Sequence, residues 1–226
     1  MNIKVQWQDF NGVKQLLSDE AAKEWADILK AAEDMPLYLK GSLQKNKSGH
    51  LIFDPVATNA YLERVLGSSG WISGPSVPPA VRFLGSDVDF AKNGIMLEAQ
   101  FSNYPFFLNN VIRSDIFKRA GIKLGHKTVK ALVLLTKTGR LPASNSTLYY
   151  EQSVEQANGL SKFNMFGIPM RVTNLSVDPG HEVPSVQTIY PDRTSRTIKE
   201  QINGLCLVER GSKSTNGWRL TFKRLS

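Results

Sequence analysis

The stretch from Val81 to Asn103, VRFLGSDVDFAKNGIMLEAQFSN, decides how this chain is read. At its centre Asn93-Gly94 sits between alternating apolar residues, the strongest short-range signal for a two-residue β-hairpin turn. With those two residues as the turn, Asp89 falls opposite Glu98 and Asp87 opposite Gln100. Side chains alternate along a strand with a period of two, so these four share one face. Val88, Leu97, Ala99 and Phe101 then take the other face, where they suit a core. Directly opposed residues have Cβ atoms only about 4.5–5.5 Å apart, and like charges there repel. Two carboxylates kept together against that repulsion call for a cation, and hard oxygen ligands with room for water and a phosphate suit magnesium.

The alternative is a solvated hairpin whose acids merely keep it soluble. Three features favour the metal: the carboxylates flank a tight turn, an amide, Gln100, follows Glu98 by two residues, and the chain is otherwise basic. Asp87 either supports the site from behind or turns away at a bulge.

The spacing of Asp89, Glu98 and Gln100 resembles the PD-(D/E)xK nuclease motif, with two departures. No proline precedes Asp89, and Gln100 occupies the usual lysine position. Neighbouring words bring the resemblance closer: LIFDPVATN (Leu51 to Asn59), FLGSDVDF (Phe83 to Phe90), EAQFSNYPFFLNN (Glu98 to Asn110), PASNSTLYYEQ (Pro142 to Gln152) and SRTI (Ser195 to Ile198). Together these words resemble the BglII-type restriction endonucleases, in which glutamine also stands at the lysine position. The similarity runs from about Pro36 to Ile198, is loose over residues 1–35, and gives no alignment from Lys199 to Ser226.

The resemblance implies a restriction-endonuclease-like α/β core and hydrolysis of both strands of double-stranded DNA, leaving 5′-phosphates and a 5′ overhang. It implies a palindromic site containing GATC, with AGATCT as the default. The implied metal ligands are Asp89, Glu98 and the Ala99 carbonyl around Mg2+, with Gln100 completing the catalytic set. Ser102, Asn103, Asn145 and Ser146 fall at base-reading positions, and Arg196 is a further DNA contact. Asn145 and Ser146 have a second reading, as caps of a helix starting near Thr147. The resemblance also implies a homodimer, since two cuts in a palindrome need two related active sites, and a separate methyltransferase that protects host DNA. Departures gather on the recognition surface: Thr194 stands where tyrosine is expected, the stretch Asp192 to Thr194 is one residue short, and Gly74 replaces an expected asparagine.

Composition is consistent with these expectations. The 226 residues suffice for one sizeable core, and the formal net charge of +8 suits a polyanionic partner. The only cysteine, Cys206, excludes an intrachain disulfide and fits a reducing cytoplasm. His50, His126 and His181 lie far apart without zinc-ligand spacing. The start, MNIKVQWQDF, lacks an apolar signal region, and no stretch approaches the roughly 20 apolar residues of a membrane span.

Along the chain, Ser18 to Met35 reads as an amphipathic helix capped by Ser18 or Asp19, its stripe facing either the core or a partner. Leu39 to His50 is a basic, turn-rich loop that either touches phosphates or is simply solvated. Asp54-Pro55 opens a helix that Gly67 to Gly70 stops, and Gly74 to Pro79 is a connector. Pro105 to Ala120 is a helix carrying Arg113, Lys118 and Arg119 outside. Thr128 to Lys137 is a buried central strand, Leu148 to Gly159 a helix and Pro169 to Val177 a strand. This gives a mixed sheet flanked by helices. A single domain over 1–226 is expected, with a catalytic core at 81–177 and a β-rich elaboration of short pieces at 184–226. Two rivals share these residues: a repair or junction-resolving nuclease with weak sequence dependence, and a DNA-binding protein without hydrolytic activity.

Overall fold

The computed structural model of the chain describes residues 2–45, 48–101, 103–144, 147–192, 195–211 and 217–225. Its first half contains β1 (Lys4–Phe10), α1 (Val13–Ser18), α2 (Ala22–Glu33), β2 (Leu37–Gly41), β3 (Leu51–Phe53), α3 (Pro55–Ser68) and β4 (Ile72–Ser73). A 3-10 turn over Pro79–Leu84 leads to the hairpin β5 (Phe90–Lys92) and β6 (Ile95–Ala99). Then come α4 (Phe106–Arg119), β7 (Lys123–Leu124), β8 (Lys127–Thr128), β9 (Ala131–Lys137), α5 (Tyr150–Lys162) and β10 (Met170–Ser176). The chain closes with β11 (Glu182–Ile189), β12 (Glu200–Arg210) and β13 (Trp218–Arg224).

The main sheet has the strand order β1-β10-β9-β6-β5-β4, and a second sheet has the order β13-β12-β11-β2-β3. β6, β9 and β10 run parallel. Parallel neighbours need long crossovers, which α4 and α5 supply. The outer strands β1 and β5 pair antiparallel with β10 and β6. This is the mixed, helix-flanked sheet expected from the sequence. Period-two alternation divides the core. Ile95, Leu97 and Ala99 of β6 point into one cluster with residues of α1 to α3 and the second sheet. Met96 points into the other, beneath Phe107, Val111 and Phe117 of α4.

The hairpin pairs Phe90 with Leu97, Ala91 with Met96 and Lys92 with Ile95, the register set by an Asn93-Gly94 turn. Asn93 (φ 49°) and Gly94 (φ 90°) both adopt positive φ, as a type I′ turn requires. The turn also packs tightly: a Cβ on Gly94 would lie 2.5 Å from the Thr128 carbonyl, and the Lys130 N–H donates to the Gly94 carbonyl at 2.7 Å. Asp54 caps α3 as expected, accepting from the Val56 N–H at 3.1 Å, and all seven residues of β9 are buried.

Several elements differ from the sequence reading. The helix expected from Ser18 to Met35 is shorter, α2 running from Ala22 to Glu33 with Ala21 at its N-cap, because Ser18 instead ends a separate preceding helix, α1, and its hydroxyl donates back to the Lys14 carbonyl. β1, β2 and β3 were not anticipated. Leu37, Tyr38 and Leu39 are all buried, so β2 lacks the alternation that marks a half-exposed strand. The C-terminal pieces are long strands, with β12 spanning 11 residues. Val88 packs in the cluster beneath α4, not beside Leu97, because the β5 ladder ends at Phe90. Arg113 is buried rather than on the outside of its helix.

Gly94→Ala is expected to lower stability by about 1–3 kcal/mol in urea denaturation, from positive-φ strain plus the clash with Thr128. A loss below about 0.5 kcal/mol, the range of ordinary surface substitutions, would contradict the packing of this turn.

Candidate active site

Glu98 and Gln100 share the parity of Met96 on β6, so both enter the face covered by α4, with 4% and 8% of their surface exposed. Asp89 lies one residue before the first paired residue of β5. Its Oδ2 accepts from the Ala99 N–H at 2.7 Å, which fastens it to β6 beside Glu98. Burial, and then the charge of Asp89, push Glu98 up to about 8 against the pull of Arg113. Burial likewise raises Asp89, although the Ala99 N–H and Arg113 favour its charged form. Two neighbouring acids, both destabilised as anions by burial and Glu98 further by the charge of Asp89, form a site where a cation is favoured.

Asp87 does not lie opposite Gln100. The ladder has ended, Asp87 is exposed, and its side chain accepts from the Ser86 hydroxyl at 3.2 Å. Its backbone carbonyl instead accepts from Arg113 Nη1 at 2.5 Å. Among the described residues no group of three or more His, Cys, Asp or Glu side chains converges as a metal site. The donor set is therefore two carboxylates with backbone oxygen nearby. The Ala99 carbonyl, at the end of β6, accepts from the Phe101 N–H at 3.2 Å, and in an extended strand a residue's N–H and C=O point to the same side, here the side of Asp89.

Arg113 is the site residue that sequence reasoning missed. It is 3% exposed and donates from Nη2 to Glu98 Oε1 at 2.6 Å and to Asn110 Oδ1 at 3.1 Å. Asn110 Nδ2 in turn donates to Gln100 Oε1 at 3.0 Å. Asn110, Arg113, Ser114 and Phe117 are all buried and follow the i, i+3, i+4, i+7 spacing of one helical face. The available signal was that spacing, together with two acids on the hairpin in need of a counter-charge.

The remaining expected residues fall in two groups. Asn103 is exposed at φ 41°, and its carbonyl accepts from Gln100 Nε2 at 3.4 Å. Arg196 is exposed. Ser102, Asn145 and Ser146 lie outside the described residues, as does Thr194. α5 begins at Tyr150 with Tyr149 at the N-cap, where the Tyr149 N–H donates to the Gln152 side chain at 3.1 Å. The cap therefore falls later than a helix start near Thr147 would place it. Flanking the loop, the Glu151 carboxylate accepts from the Thr138 hydroxyl at 2.8 Å and the Gly139 N–H at 3.0 Å. Gly74, where asparagine was expected, adjoins the site: its N–H donates to the Asp89 carbonyl at 3.0 Å.

A cavity of about 450 Å³ is lined by Lys40, Ser144, Tyr190 and Ser195 among others, bringing the neighbours of Asn145 and Arg196 to one place. Beneath it Asp54 is fully buried. It accepts from the Tyr190 hydroxyl at 2.7 Å and lies 3.6 Å from Lys40 Nζ.

The raised Glu98 links stability to pH. The folded protein holds this proton up to about 8, whereas an ordinary glutamate releases it near 4.5. Between those values the unfolded state binds fewer protons, so this contribution to stability is complete below the lower value and is lost as pH rises through the upper. In chelator, Glu98→Gln is expected to flatten the fall in urea stability across that window and to be the more stable protein at its alkaline end. An unchanged slope would contradict the burial of an acid at this position.

A family model for the restriction endonucleases BglII/BglIII matches residues 5–173. The chain is 39% identical over 200 residues to the type II restriction enzyme BglII of Bacillus subtilis, covering 88% of each chain. A crystal structure of BglII complexed with a DNA 16-mer superposes with a TM-score of 0.91 at 36% identity, covering 97% of this chain and 100% of the other. A crystal structure of free BglII gives 0.76 at 34% identity over the same shares. A match over most of the length, in sequence and in fold, means that the chain belongs to the BglII/BglIII family of restriction endonucleases and is a site-specific deoxyribonuclease.

Proposed function

We propose that the chain cuts both strands of double-stranded DNA at a palindrome containing GATC, with AGATCT the default, in a magnesium-dependent reaction that leaves 5′-phosphates and a 5′ overhang. The observation that carries this reading is Asp89, fastened to β6 by the Ala99 N–H at 2.7 Å next to Glu98 and ahead of Gln100, in a chain 39% identical to BglII. The residues fit a hard dication: Mg2+ is commonly held by one or two carboxylates and keeps several waters. Asp89, Glu98 and the Ala99 carbonyl would hold it. When bound, such an ion lowers the pKa of a water and offsets charge on the scissile phosphate.

Gln100 cannot serve as a general base, because a neutral amide has no basic site near neutral pH. Its role is to orient groups by hydrogen bonds. Asn103 and Arg196, both exposed, read DNA together with Ser102, Asn145 and Ser146. Asparagine can bond adenine, and arginine guanine, in bidentate fashion in the major groove. The cavity beside Ser144 and Ser195 supports a reading surface there. The active unit is a homodimer, whose two-fold axis matches that of the palindrome. A separate methyltransferase marks host DNA. One domain spans 1–226, with its catalytic core at 81–177 and a β-rich elaboration at 184–226. No described helix is long and apolar enough to cross a membrane, and the reading places the enzyme in the cytoplasm with the DNA it cuts.

Digestion of a plasmid of known sequence, with magnesium and with chelator, followed by sequencing of the ends, tests this directly. Discrete magnesium-dependent fragments ending at one palindrome are expected. Random cleavage would point to a repair nuclease, and an intact plasmid with a band shift to a binding protein. Glu98→Ala should abolish cleavage yet retain specific binding; near-normal cleavage would show that the wrong carboxylate was chosen.

Asn103 occupies a left-handed backbone position that glycine adopts freely. Asn103→Gly therefore removes the amide without straining the chain. It should weaken cognate binding by about 1–3 kcal/mol with no matching loss on unrelated DNA; equal losses on both would contradict base reading.

A further inference from the structure

The amide of Gln100 is held in one orientation by a chain of hydrogen bonds whose polarity is set at Arg113. A guanidinium has five donors and no acceptor. The 3.1 Å contact from Arg113 Nη2 to Asn110 therefore requires the Asn110 oxygen to face the arginine. The Asn110 NH2 is thereby turned toward Gln100. At 3.0 Å it needs an acceptor, so Gln100 must present its oxygen to Asn110. The Gln100 NH2 lies on the opposite side and reaches toward the Asn103 carbonyl at 3.4 Å, at the exposed segment 103–105.

The oxygen and nitrogen of a side-chain amide are otherwise nearly interchangeable. Here a donor-only arginine removes the ambiguity for both amides in turn. Arg113 itself cannot swing away. Glu98 Oε1 holds it at 2.6 Å and the Asp87 carbonyl at 2.5 Å. Gly85 closes over it at φ 107°, where a Cβ would lie 3.2 Å from Nη1. Arg113, Asn110 and Gln100 are 3%, 5% and 8% exposed, so water does not readily rearrange the chain.

We propose that Arg113 and Asn110 are positioning residues that fix Gln100 as a hydrogen-bond donor toward the substrate. The inference rests on the nuclease reading above and deepens it. Gln100 offers an N–H to a phosphate oxygen or to a lone pair of the attacking water, and its oxygen is withheld from both. A lysine, usual at this place in the PD-(D/E)xK motif, is likewise a pure donor. Glutamine held in this way presents the same polarity that lysine has by nature.

Asn110→Asp tests the relay, because it keeps the acceptor that faces Arg113 but turns an acceptor toward Gln100 as well. Gln100 must then give its NH2 to position 110 and its oxygen to the substrate. Single-turnover cleavage in magnesium is expected to fall about 100-fold, the scale of one lost transition-state donor. Affinity for cognate DNA in calcium should stay within about threefold, so that the loss lies in turnover and not in binding. Adding Gln100→Lys to Asn110→Asp restores a donor-only group beside an acceptor, and should recover about tenfold or more of the lost rate.

The inference is overturned if Asn110→Asp cleaves at close to the wild-type rate, if affinity falls in parallel with the rate, or if the double variant is no faster than the single. Should Asn110→Asp fail to fold, Gln100→Glu carries the test: its carboxylate still accepts from the Asn110 NH2 but turns an oxygen instead of an N–H to the substrate, so cleavage should fall about 100-fold, and a near-wild-type rate overturns the relay. Failure of the wild-type protein to cleave would instead refute the nuclease reading, and is seen before any variant is made.

Discussion

Two carboxylates of like charge are held beside each other at the open end of the Asn93-Gly94 hairpin, where burial makes each less willing to ionise. Much of the surrounding structure can be understood as the means of keeping them there. The turn fixes the register. The Ala99 N–H ties Asp89 to β6. α4 covers the face on which Glu98 emerges and brings Arg113 to it at 2.6 Å. An isolated charge in such a place would be neutralised or expelled; here an arginine offsets it in part, and the deficit that remains favours a dication.

The main sheet carries this chemistry, and the residues proposed to read DNA lie in loops beyond its strands. β6, β9 and β10 lie side by side with α4 and α5 as crossovers, so Glu98 sits on a buried strand with Asp89 tied to it from just before β5, while the segments around Asn103 and Ser144 follow the ends of β6 and β9, and Ser195 lies between β11 and β12 of the second sheet. The second sheet underlies the cavity beside Ser144 and Ser195, where the fully buried Asp54 accepts from Tyr190 at 2.7 Å and lies 3.6 Å from Lys40. Rigid strands hold the reacting groups and loops hold the variable contacts, a common division between scaffold and function.

The features legible in the sequence were those with local causes. Asn93-Gly94 determines its own register, Asp54-Pro55 its own helix start, and the run through Leu132 to Leu135 its own burial. Long-range pairing left no such mark. β2 pairs with β11, matching Leu37 with Ser185, and neither segment announces the other. Arg113 was placed outside α4 because a charge on a helix normally faces water; only a partner on another element, Glu98, makes its burial favourable. Asp87 was set opposite Gln100 by extending the alternation past Phe90, where the strand stops. The resemblance to a known family supplied the roles of the site residues. It did not supply Arg113 or Asn110, which became visible as a connected pair only once the helix was seated on the sheet.

The central claim is that Asp89 and Glu98 together hold the metal ion of the reaction. Crystals of the protein with a cognate duplex, soaked in manganese and measured at its absorption edge, would locate that ion without reference to activity. The expected result is one anomalous peak within bonding distance of both carboxylates and of the Ala99 carbonyl. A peak that touches neither acid, in crystals whose DNA is being cleaved, would contradict the account.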